Sequence, residues 1–378
     1  MKIVIAPQAY KGSITALGVA IAAEKGALKV FPDAEVLICP VADGGDGTLE
    51  TLVEGSEGEI NETNVTGPTG KRLDASWGAM GDGKTAVIEM AMASGLGLIP
   101  QGHLNPKIAT TSGTGLLIKE ALDKGYRTII VGLGGSATND GGAGAAKELG
   151  VIFRDGSGVD LPAGGLALST LASVDISSIH PALAESKIII ATDVTNPLCG
   201  PNGASVVYGP QKGASPLIVA ELDAALANYQ QIIKASLGID LENRPGAGSA
   251  GGLGAGLIAF ADAEVRSGIQ LIGEVLGLEE VLAEATLVIT AEGQIDRSTL
   301  YDKAPIGVAR MAKKFGVPVI AMAAVLGEGH QLVYEHGIDA LVSIGDGPMD
   351  NQESIARTYS LLARATERSL RLIKIDLG

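Results

Sequence analysis

The sequence predicts an α/β protein that contains an open, parallel, doubly wound sheet and a second, inserted mixed α/β domain. Three observations lead to this fold class. Short runs rich in β-branched residues recur along the chain, each ended by Gly, Asp or Pro. Helical patterns alternate with these runs, which is typical of βαβ units. The segment 61–95 breaks the alternation with two extended runs around turns, which indicates antiparallel hairpins.

The predicted strands are apolar along their length, as expected of a parallel sheet that is covered on both faces. They span 2–6, 35–40, 128–131, 187–191, 287–290, 317–321 and 340–344. The helical patterns span 15–30, 47–54, 115–124, 142–149, 216–237, 305–315 and 351–374. Since a domain takes about 150 residues, a chain of 378 residues has room for two.

We therefore predict a parallel-sheet, Rossmann-like domain and an inserted domain. The first takes 1–60, 101–194 and 284–378, and the second α/β domain takes 61–100 and 195–283.

Composition excludes several classes of partner. The net charge is −15 and the basic residues are scattered, so we expect neither nucleic-acid binding nor binding to an anionic membrane. No run of about 18 apolar residues occurs, so we expect no transmembrane helix. The first apolar run is too short for a signal peptide, which favours a cytoplasmic protein. Cys39 and Cys199 lie in no metal-binding pattern, and the oligomeric state, a homo-oligomer included, is left open.

One glycine-rich stretch matches a phosphate-binding expression but has the wrong context. Residues 78–85, GAMGDGKT, fit G-x-x-x-x-G-K-[ST], which in a true P-loop joins a buried strand to a helix. Here the flanking segments both look extended. We therefore interpret this stretch as a hairpin turn between two strands.

A second glycine-rich loop, 132–142, has the context that a phosphate site needs. A predicted buried strand precedes it and a predicted helix follows, and a helix N-terminus favours anions. Gly134 and Gly135 allow close backbone approach, while Ser136, Thr138 and Asn139 add side-chain donors. The alternative is a tight connection that binds nothing.

Carboxylates follow several other predicted strands. Asp43, Asp193, Glu292 and Asp296 should meet with Asp140 in one crevice, because ligands of open α/β sheets bind at the carboxyl ends of the strands. Such a set suits Mg²⁺, with Asp43, Asp193 and Glu292 as the candidate ligands. Phosphoryl transfer depends on positioning and on cations of this kind.

Three lysines beside glycine-rich loops are candidate cations for phosphate or carboxylate groups. They are Lys11, Lys212 and Lys303. Ser249 lies in a further glycine-rich stretch, 245–256, and is a candidate phosphate contact with Lys212. The four His form no cluster, and no GxSxG nucleophile motif occurs.

Together these loops resemble those of the bacterial glycerate kinases of the glycerate 2-kinase type, over essentially the whole chain. The matching stretches are MKIVIAP, CPVADGGDGT, VTGPTG, GGSATNDGGAG, ATDVTNPLCGPNGAS, YGPQKGAS, PGAGSAGGLGAG, LVITAEGQID and KAPIGVA. The resemblance implies two α/β domains with a cleft between them, ATP and Mg²⁺ as cofactors, and phosphorylation of a hydroxyl of glycerate. Asp193 is the first candidate for the catalytic base and Asp296 the second, with Lys11 as a catalytic cation.

Several positions depart from the pattern of that family, among them Gln8, Ala9, Ser112, Leu116 and Gln294. Gln8 stands where the family usually has Asp, and Ser112 and Gln294 stand where it usually has Arg. Arg can bind a carboxylate through two parallel hydrogen bonds, which Ser and Gln cannot reproduce. If those Arg hold the glycerate carboxylate, this protein should bind glycerate poorly. We assign Gln8, Ser112 and Gln294, with Asn139 and Lys303, to substrate binding.

Three functions stay open at this point. The chain is a glycerate 2-kinase that tolerates the substitutions, a kinase of the same fold for another small hydroxyl compound, or a binder without catalytic activity.

Overall fold

The computed structural model describes residues 1–100, 102–301 and 303–375. Its strands are β1 (Lys2–Pro7), β2 (Glu35–Ile38), β3 (Glu59–Thr66), β4 (Arg72–Ala79), β5 (Thr85–Glu89), β6 (Thr128–Gly132), β7 (Ile152–Asp155), β8 (Leu171–Asp175), β9 (Lys187–Ala191), β10 (Glu264–Arg266), β11 (Leu287–Ile295), β12 (Val319–Leu326) and β13 (Ala340–Ser343). Its α-helices are α1 (Ala16–Val30), α2 (Thr48–Gly55), α3 (Ala91–Ser94), α4 (Ser112–Asp123), α5 (Ala143–Glu148), α6 (Ala204–Tyr208), α7 (Pro216–Leu237), α8 (Ser249–Ala261), α9 (Gly268–Val275), α10 (Leu278–Ala283), α11 (Ala304–Lys313) and α12 (Asn351–Lys374).

The chain divides into two compact units. The outer unit consists of Met1–Gly55 and Ser267–Gly378, and the inserted unit is Ser56–Arg266.

A five-stranded parallel sheet in the order β13-β12-β11-β1-β2 forms the centre of the outer unit. Successive side chains of β1 point to opposite faces. Ile3 and Ile5 join the buried cluster that α1 and α12 cover, while Val4 and Ala6 join the cluster of α9, α10 and α11. Because both faces are covered, the strand is apolar throughout, and the doubly wound prediction is confirmed for this unit.

Side-chain caps set where the two long helices of the outer unit begin, and a glycine lets them pack closely. The Thr15 side chain accepts a hydrogen bond from Gly18 N, and Asp350 accepts one from Glu353 N, so each caps the start of its helix. At Gly26 a Cβ atom would lie 2.3 Å from the carbonyl oxygen of Ala363, so only glycine allows α1 and α12 to approach this closely.

A six-stranded mixed sheet in the order β10-β9-β6-β5-β4-β3 forms the centre of the inserted unit. The strands from β10 to β5 are parallel, whereas β4 is antiparallel to both β5 and β3. Trp77, Leu117 and Ile190 belong to one buried cluster against this sheet. A second cluster includes Phe153 of the separate β7–β8 hairpin and Tyr229 of α7. The predicted antiparallel hairpins are confirmed.

The observed division of the chain differs from the predicted one. We expected 101–194 to share the sheet of β1, but β6 and β9 pair with each other, and β6 pairs with β5 in the inserted unit. We also expected 267–283 in the second domain, and it belongs to the outer unit. Both sheets use the same kind of apolar parallel strand, so the local pattern does not identify a strand's partners. Gln101, in the first of these ranges, and Asp302 lie outside the described residues.

The short or unusual elements are the ones that the sequence pattern does not predict. Strands β7, β8 and β10 are short and partly exposed, and five helices, α3, α6, α8, α9 and α10, were expected as loops or left unassigned. Helix α8 begins inside a glycine-rich stretch, with left-handed backbone at Ala250, Gly251 and Gly252. None of the helices that the structure describes combines the length and apolar character needed to cross a bilayer.

Candidate active site

In the outer unit, the residues after β1 lie beside the end of β11. The N–H group of Gln8 donates to the carbonyl oxygen of Ala291 at 2.8 Å, which continues the parallel register of the two strands. Glu292 and Gln294 belong to the last part of β11. The Gln8 amide oxygen is buried and accepts no hydrogen bond within the part of the chain that the structure describes. Of the residues predicted to converge, Glu292 therefore lies near the carboxyl edge of this sheet, beside the segment that contains Gln8.

Glu292 is a mostly buried carboxyl group with a perturbed pKa. Its side chain is 12% exposed and accepts from Lys303 Nζ at 3.2 Å. Thr299 Oγ1 donates to its other oxygen, also at 3.2 Å. Burial raises the pKa of Glu292 to about 7, which Lys303 opposes and the charge of Asp43 reinforces. Near neutral pH this group can therefore change its charge when a cation or a proton donor approaches.

Asp296 accepts hydrogen bonds from neighbouring residues at both carboxylate oxygens. Its Oδ1 atom accepts from Ser298 N at 2.7 Å and from Ser298 Oγ at 2.6 Å, while Gln294 Nε2 donates to Oδ2 at 2.5 Å. Desolvation acts to raise the pKa of Asp296, but these hydrogen bonds lower it below its usual range. Such a carboxylate is a weak base, because accepting a proton would break favourable contacts.

The predicted cation Lys11 forms a surface ion pair. Its Nζ atom lies 2.5 Å from Asp46 Oδ2, and the side chain is 77% exposed. Asp43, three residues earlier in the same loop as Asp46, accepts from Gly45 N at 3.2 Å. Lys11 is thus free to move toward a ligand at little energetic cost, because exposed pairs contribute only about 0–1 kcal/mol.

In the inserted unit, backbone hydrogen bonds at Gly135 and Ala137 hold the glycine-rich loop after β6, and the loop is partly accessible near its start. Leu96 N donates to the carbonyl oxygen of Gly135 at 2.8 Å, and Ala137 N donates to that of Ser94 at 3.0 Å. Gly134 and Gly135 are half-buried, whereas the rest of 132–142 is buried. Gly135 has φ +71°, which favours glycine. The accessible backbone of this loop is therefore confined to these two residues.

Asp140 anchors this loop from the inside. Its buried carboxylate accepts from Thr111 N at 2.8 Å, Thr111 Oγ1 at 2.9 Å, Gly142 N at 3.2 Å and Gly144 N at 3.2 Å. Burial raises the pKa of Asp140, and these donors act against that rise. Asp140 therefore joins the loop to the start of α4 and of α5, and it has no capacity left for a ligand.

Asn139 and Lys212 are also buried. The Asn139 amide donates to Ser205 Oγ at 2.9 Å, and its Oδ1 atom accepts no hydrogen bond from the described residues. Lys212 is 1% exposed and its Nζ atom donates to the carbonyl oxygen of Thr138 at 2.6 Å. Burial lowers the pKa of Lys212 to about 7, although the charge of Asp140 acts in the opposite direction. The predicted direct contact between Lys212 and a phosphate is not what this structure offers.

Two predicted binding hydroxyls are used within the inserted unit. Ser112 begins α4, and its hydroxyl donates to Glu148. The Ser249 hydroxyl donates to the carbonyl oxygen of Gly246 at 2.5 Å.

Asp193 is half-buried and lies two residues beyond the end of β9, at the carboxyl edge of the sheet.

This arrangement of loops coincides with a known family. The sequence model of the glycerate kinase family matches residues 3–374 of this chain. The chain belongs to the glycerate kinase family.

Individual glycerate kinases match along their full length. A glycerate 2-kinase from Escherichia coli (strain K12) is 48% identical over 377 residues, which cover 100% of this chain and 99% of that protein. A glycerate kinase from Bacillus subtilis (strain 168) is 47% identical over 377 residues, 99% of each protein. A crystal structure named glycerate kinase 2 from Salmonella typhimurium LT2 has a TM-score of 0.87 and 46% identity, and it covers 99% of this chain and 98% of that one. The predicted family and α/β fold are confirmed.

Ser112 and Gln294 stand at the two positions where the family resemblance implies Arg, and the structure shows what each of them contacts. Ser112 bonds to Glu148, and Gln294 bonds to Asp296. Both side chains donate to a carboxylate of this chain itself; this uses the single O–H group of Ser112, whereas Gln294 Nε2 keeps a second N–H group.

The predicted metal ligands are only partly brought together. No group of three or more His, Cys, Asp or Glu side chains suited to a metal ion occurs among the described residues. Asp43 and Glu292 do interact through their charges in the outer unit. This charge interaction links two of the predicted ligands, and the magnesium site itself stays a prediction.

The stretch 78–85 is a hairpin, as its context predicts. Strands β4 and β5 are antiparallel on either side of it. Asp82 closes the turn, since its Oδ1 atom accepts from Lys84 N and Thr85 N, each at 2.8 Å. Its Oδ2 atom accepts from Thr85 Oγ1 at 2.7 Å. The backbone N–H groups that a P-loop would offer to phosphate are thus already bonded.

We therefore expect Lys84→Ala to leave kinase activity unchanged. Lys84 is exposed in a surface turn, and its side chain has no role in the hairpin hydrogen bonds. Steady-state kinetics should give a KM for ATP within about twofold of the wild-type value. Loss of a true P-loop lysine would instead lower kinase activity by orders of magnitude. A tenfold or larger defect would mean that this turn contacts nucleotide.

Several supporting residues escape the sequence patterns. Thr111 and Thr299 donate to the buried carboxylates Asp140 and Glu292, and Glu148 accepts from Ser112. A sequence pattern could have identified Thr299, because it lies three residues after Asp296 and completes a capping box with it. Thr111 and Glu148 lie in no such pattern, since their partners are distant in sequence.

Proposed function

We propose that this chain transfers the γ-phosphoryl group of ATP to the 2-hydroxyl group of D-glycerate, which forms ADP and 2-phosphoglycerate. The observation that carries the proposal is membership of the glycerate kinase family over residues 3–374, which include all the loops described above. A cytoplasmic location is part of the proposal, because ATP is available there as the phosphoryl donor.

Asp193 is the proposed catalytic base. As the bond between the 2-oxygen and the γ-phosphorus forms, Asp193 takes the hydroxyl proton, and the bond to the β,γ-bridging oxygen breaks. Its position beyond the carboxyl end of β9 supports this role. Asp296 is the weaker candidate, because hydrogen bonds from Ser298 and Gln294 occupy its oxygens.

The proposed phosphate contacts are the backbone N–H groups at Gly134 and Gly135, with the nearby Ser136 and Thr138. Gly134 and Gly135 are the accessible part of the loop that precedes α5. Backbone N–H groups bind phosphate oxygens without bringing a bulky side chain close to the ligand. Lys11 is a further proposed cation, since its exposed side chain can leave Asp46 for a phosphate.

Glycerate is proposed to bind through Gln8 and Lys303, with Asn139 as a further candidate. The buried Gln8 amide oxygen lacks a donor among the described residues, which suits a substrate hydroxyl. Lys303 is about one-third exposed and can offer its ammonium group to the glycerate carboxylate. Glu292 holds Lys303 in place through their 3.2 Å contact.

Asp43 and Glu292 are the residues of the outer unit that fit Mg²⁺. Both are oxygen ligands, and the charge of Asp43 raises the pKa of Glu292, which is the situation that a bound cation relieves. Mg²⁺ commonly takes one or two carboxylates and completes its shell with phosphate oxygens and water. When bound, it supplies positive charge to the transferring phosphate.

The raised pKa of Glu292 predicts how stability depends on pH. The folded state binds a proton more tightly than the unfolded state, so the stability of the protein relative to Glu292→Gln should fall as pH rises from about 4.5 to about 7. The change should approach about 3 kcal/mol, since one pKa unit corresponds to about 1.4 kcal/mol.

Urea unfolding of both proteins at pH 5 and pH 8, with EDTA present, measures this difference. Added Mg²⁺ should stabilise the wild-type protein at pH 8 more than Glu292→Gln. A stability difference that does not change with pH would show that Glu292 is not desolvated.

A substrate panel tests the proposed function. The purified chain should release ADP from MgATP with D-glycerate, at a kcat/KM far above that with L-glycerate, lactate, glycerol or other small polyols. Efficient use of another compound, with D-glycerate inactive, would support a different acceptor. Nucleotide binding without turnover of any compound would support a binder without catalytic activity.

A further inference from the structure

The inserted unit contains a lysine whose ammonium group is buried. Lys212 is 1% exposed and ends a single 3₁₀ turn, Pro210–Lys212. Gly213, with φ +90°, closes that turn by donating from its N–H group to the carbonyl oxygen of Pro210. Burial of an ammonium group is costly unless nearby groups compensate for the lost water. The charge of Asp140 and the carbonyl oxygen of Thr138 provide that compensation.

Gly251 also packs closely against the same carbonyl group. A Cβ atom on Gly251 would lie 1.9 Å from the carbonyl oxygen of Thr138, and Gly251 has φ +67°. In return, Gly141 N donates to the carbonyl oxygen of Gly251 at 3.1 Å. The left-handed turn at the start of α8 therefore packs backbone against backbone on the glycine-rich loop.

A glycine-rich loop needs such contacts to adopt one conformation. Glycine loses more conformational freedom on folding than any other residue. The first half of the loop is fixed through Gly135 and Ala137, and the second half through Asp140. Thr138 lies between these two halves, and its carbonyl oxygen is held by Lys212 Nζ at 2.6 Å.

We propose that Lys212 is a positioning residue, which clamps the Thr138 carbonyl group against Gly251 and so fixes Gly134 and Gly135 in the conformation that binds nucleotide phosphates. Lys212 acts through the backbone and does not contact phosphate. This inference rests on the proposed function only in taking the loop to be the phosphate site.

Lys212→Met tests the clamp, because methionine fills similar space without a donor. A hydrogen bond from a charged donor contributes enough that its loss should weaken ATP binding about tenfold to a hundredfold. Isothermal titration calorimetry measures this affinity, while the KM for D-glycerate should stay within about threefold of the wild-type value. Hydrogen exchange of 132–142 should become faster, with β6 unchanged. Wild-type ATP affinity together with wild-type exchange in the loop would overturn the proposal.

Lys147→Met is the matched control. Lys147 belongs to the same unit, is partly buried, and also donates its Nζ hydrogen to a backbone carbonyl oxygen, that of Leu161. That carbonyl group lies outside the glycine-rich loop, so ATP affinity and loop exchange should match the wild type. An equal defect in both variants would show a general loss of packing and overturn the specific role of Lys212.

A double-mutant cycle with Gly251→Ala separates positioning from direct phosphate contact. Both substitutions disturb the same carbonyl group, so their combined effect on ATP affinity should be clearly smaller than the product of the single effects. If Lys212 contacted phosphate, the two effects would multiply, and the proposal would be wrong.

A milder variant, Lys212→Gln, tests the same role if Lys212→Met does not fold. Lys212→Gln keeps a donor and loses the charge, so it should show a smaller defect in ATP affinity and loop exchange, in the same direction. A wild-type result for this folded variant, with Lys212→Met unfolded, would assign Lys212 to stability alone and overturn the proposal.

ATP binding and hydrogen exchange do not depend on the acceptor, so absence of transfer to glycerate in the wild type would count against the proposed function only.

Discussion

Replacing Asp193 by Asn should reduce kcat for glycerate phosphorylation by about a hundredfold to ten-thousandfold, the range typical of a lost general base. The amide has nearly the same shape as the carboxylate but cannot accept the proton of the 2-hydroxyl group. We expect ATP affinity and the unfolding midpoint to stay close to the wild-type values, because the substitution removes one charge from a half-buried position.

Asp296→Asn is the appropriate comparison for this experiment. The Asp296 oxygens accept hydrogen bonds from Ser298 and Gln294, so this variant should lose less than about tenfold in kcat, with a modest loss of stability. Pre-steady-state measurement of phosphoryl transfer distinguishes the two, since it isolates the chemical step. A larger chemical defect in Asp296→Asn than in Asp193→Asn would reverse the assignment of the base.

Replacing Asp140 by Ala should have the largest effect on stability. The carboxylate accepts four hydrogen bonds from Thr111, Gly142 and Gly144, all in a buried position. Its removal leaves those donors without acceptors and leaves the buried Lys212 without its negative counterpart. We expect a loss of about 3–5 kcal/mol in the free energy of unfolding, the range found when one partner of a buried charged network is removed.

Asp82→Ala provides a matched control for Asp140→Ala. Asp82 also accepts from two backbone N–H groups and a threonine hydroxyl, but in the exposed β4–β5 hairpin. Water can satisfy those donors, so the loss should be about 1 kcal/mol or less. Urea unfolding of both variants gives the comparison. Equal losses would show that burial of the Asp140 network does not set its contribution.

The strands of both units follow from the sequence, but their arrangement in two sheets does not. Runs such as 2–6 and 128–131 are apolar because each strand is buried on both faces. That requirement is the same in either sheet, so it does not reveal that β6 pairs with β5 and β9. Strand pairing depends on contacts between distant residues, which no local pattern records.

The candidate site shows a similar limit. Loop position predicts that Glu292 and Gly134 lie at the carboxyl ends of strands, because that follows from the βα connection. It does not reveal that Lys212 is buried or that Ser112 bonds to Glu148, since both depend on partners far along the chain. A polar side chain beside a glycine-rich loop can serve the loop itself as well as a ligand.

The most direct test of the proposed activity is ³¹P NMR of the product formed from MgATP and D-glycerate. We predict a single phosphomonoester signal from 2-phosphoglycerate, whose growth matches the formation of ADP and which is absent with Asp193→Asn over the same time. Formation of 3-phosphoglycerate, or no phosphomonoester at millimolar D-glycerate, would contradict the proposal that this glycerate kinase phosphorylates the 2-hydroxyl group.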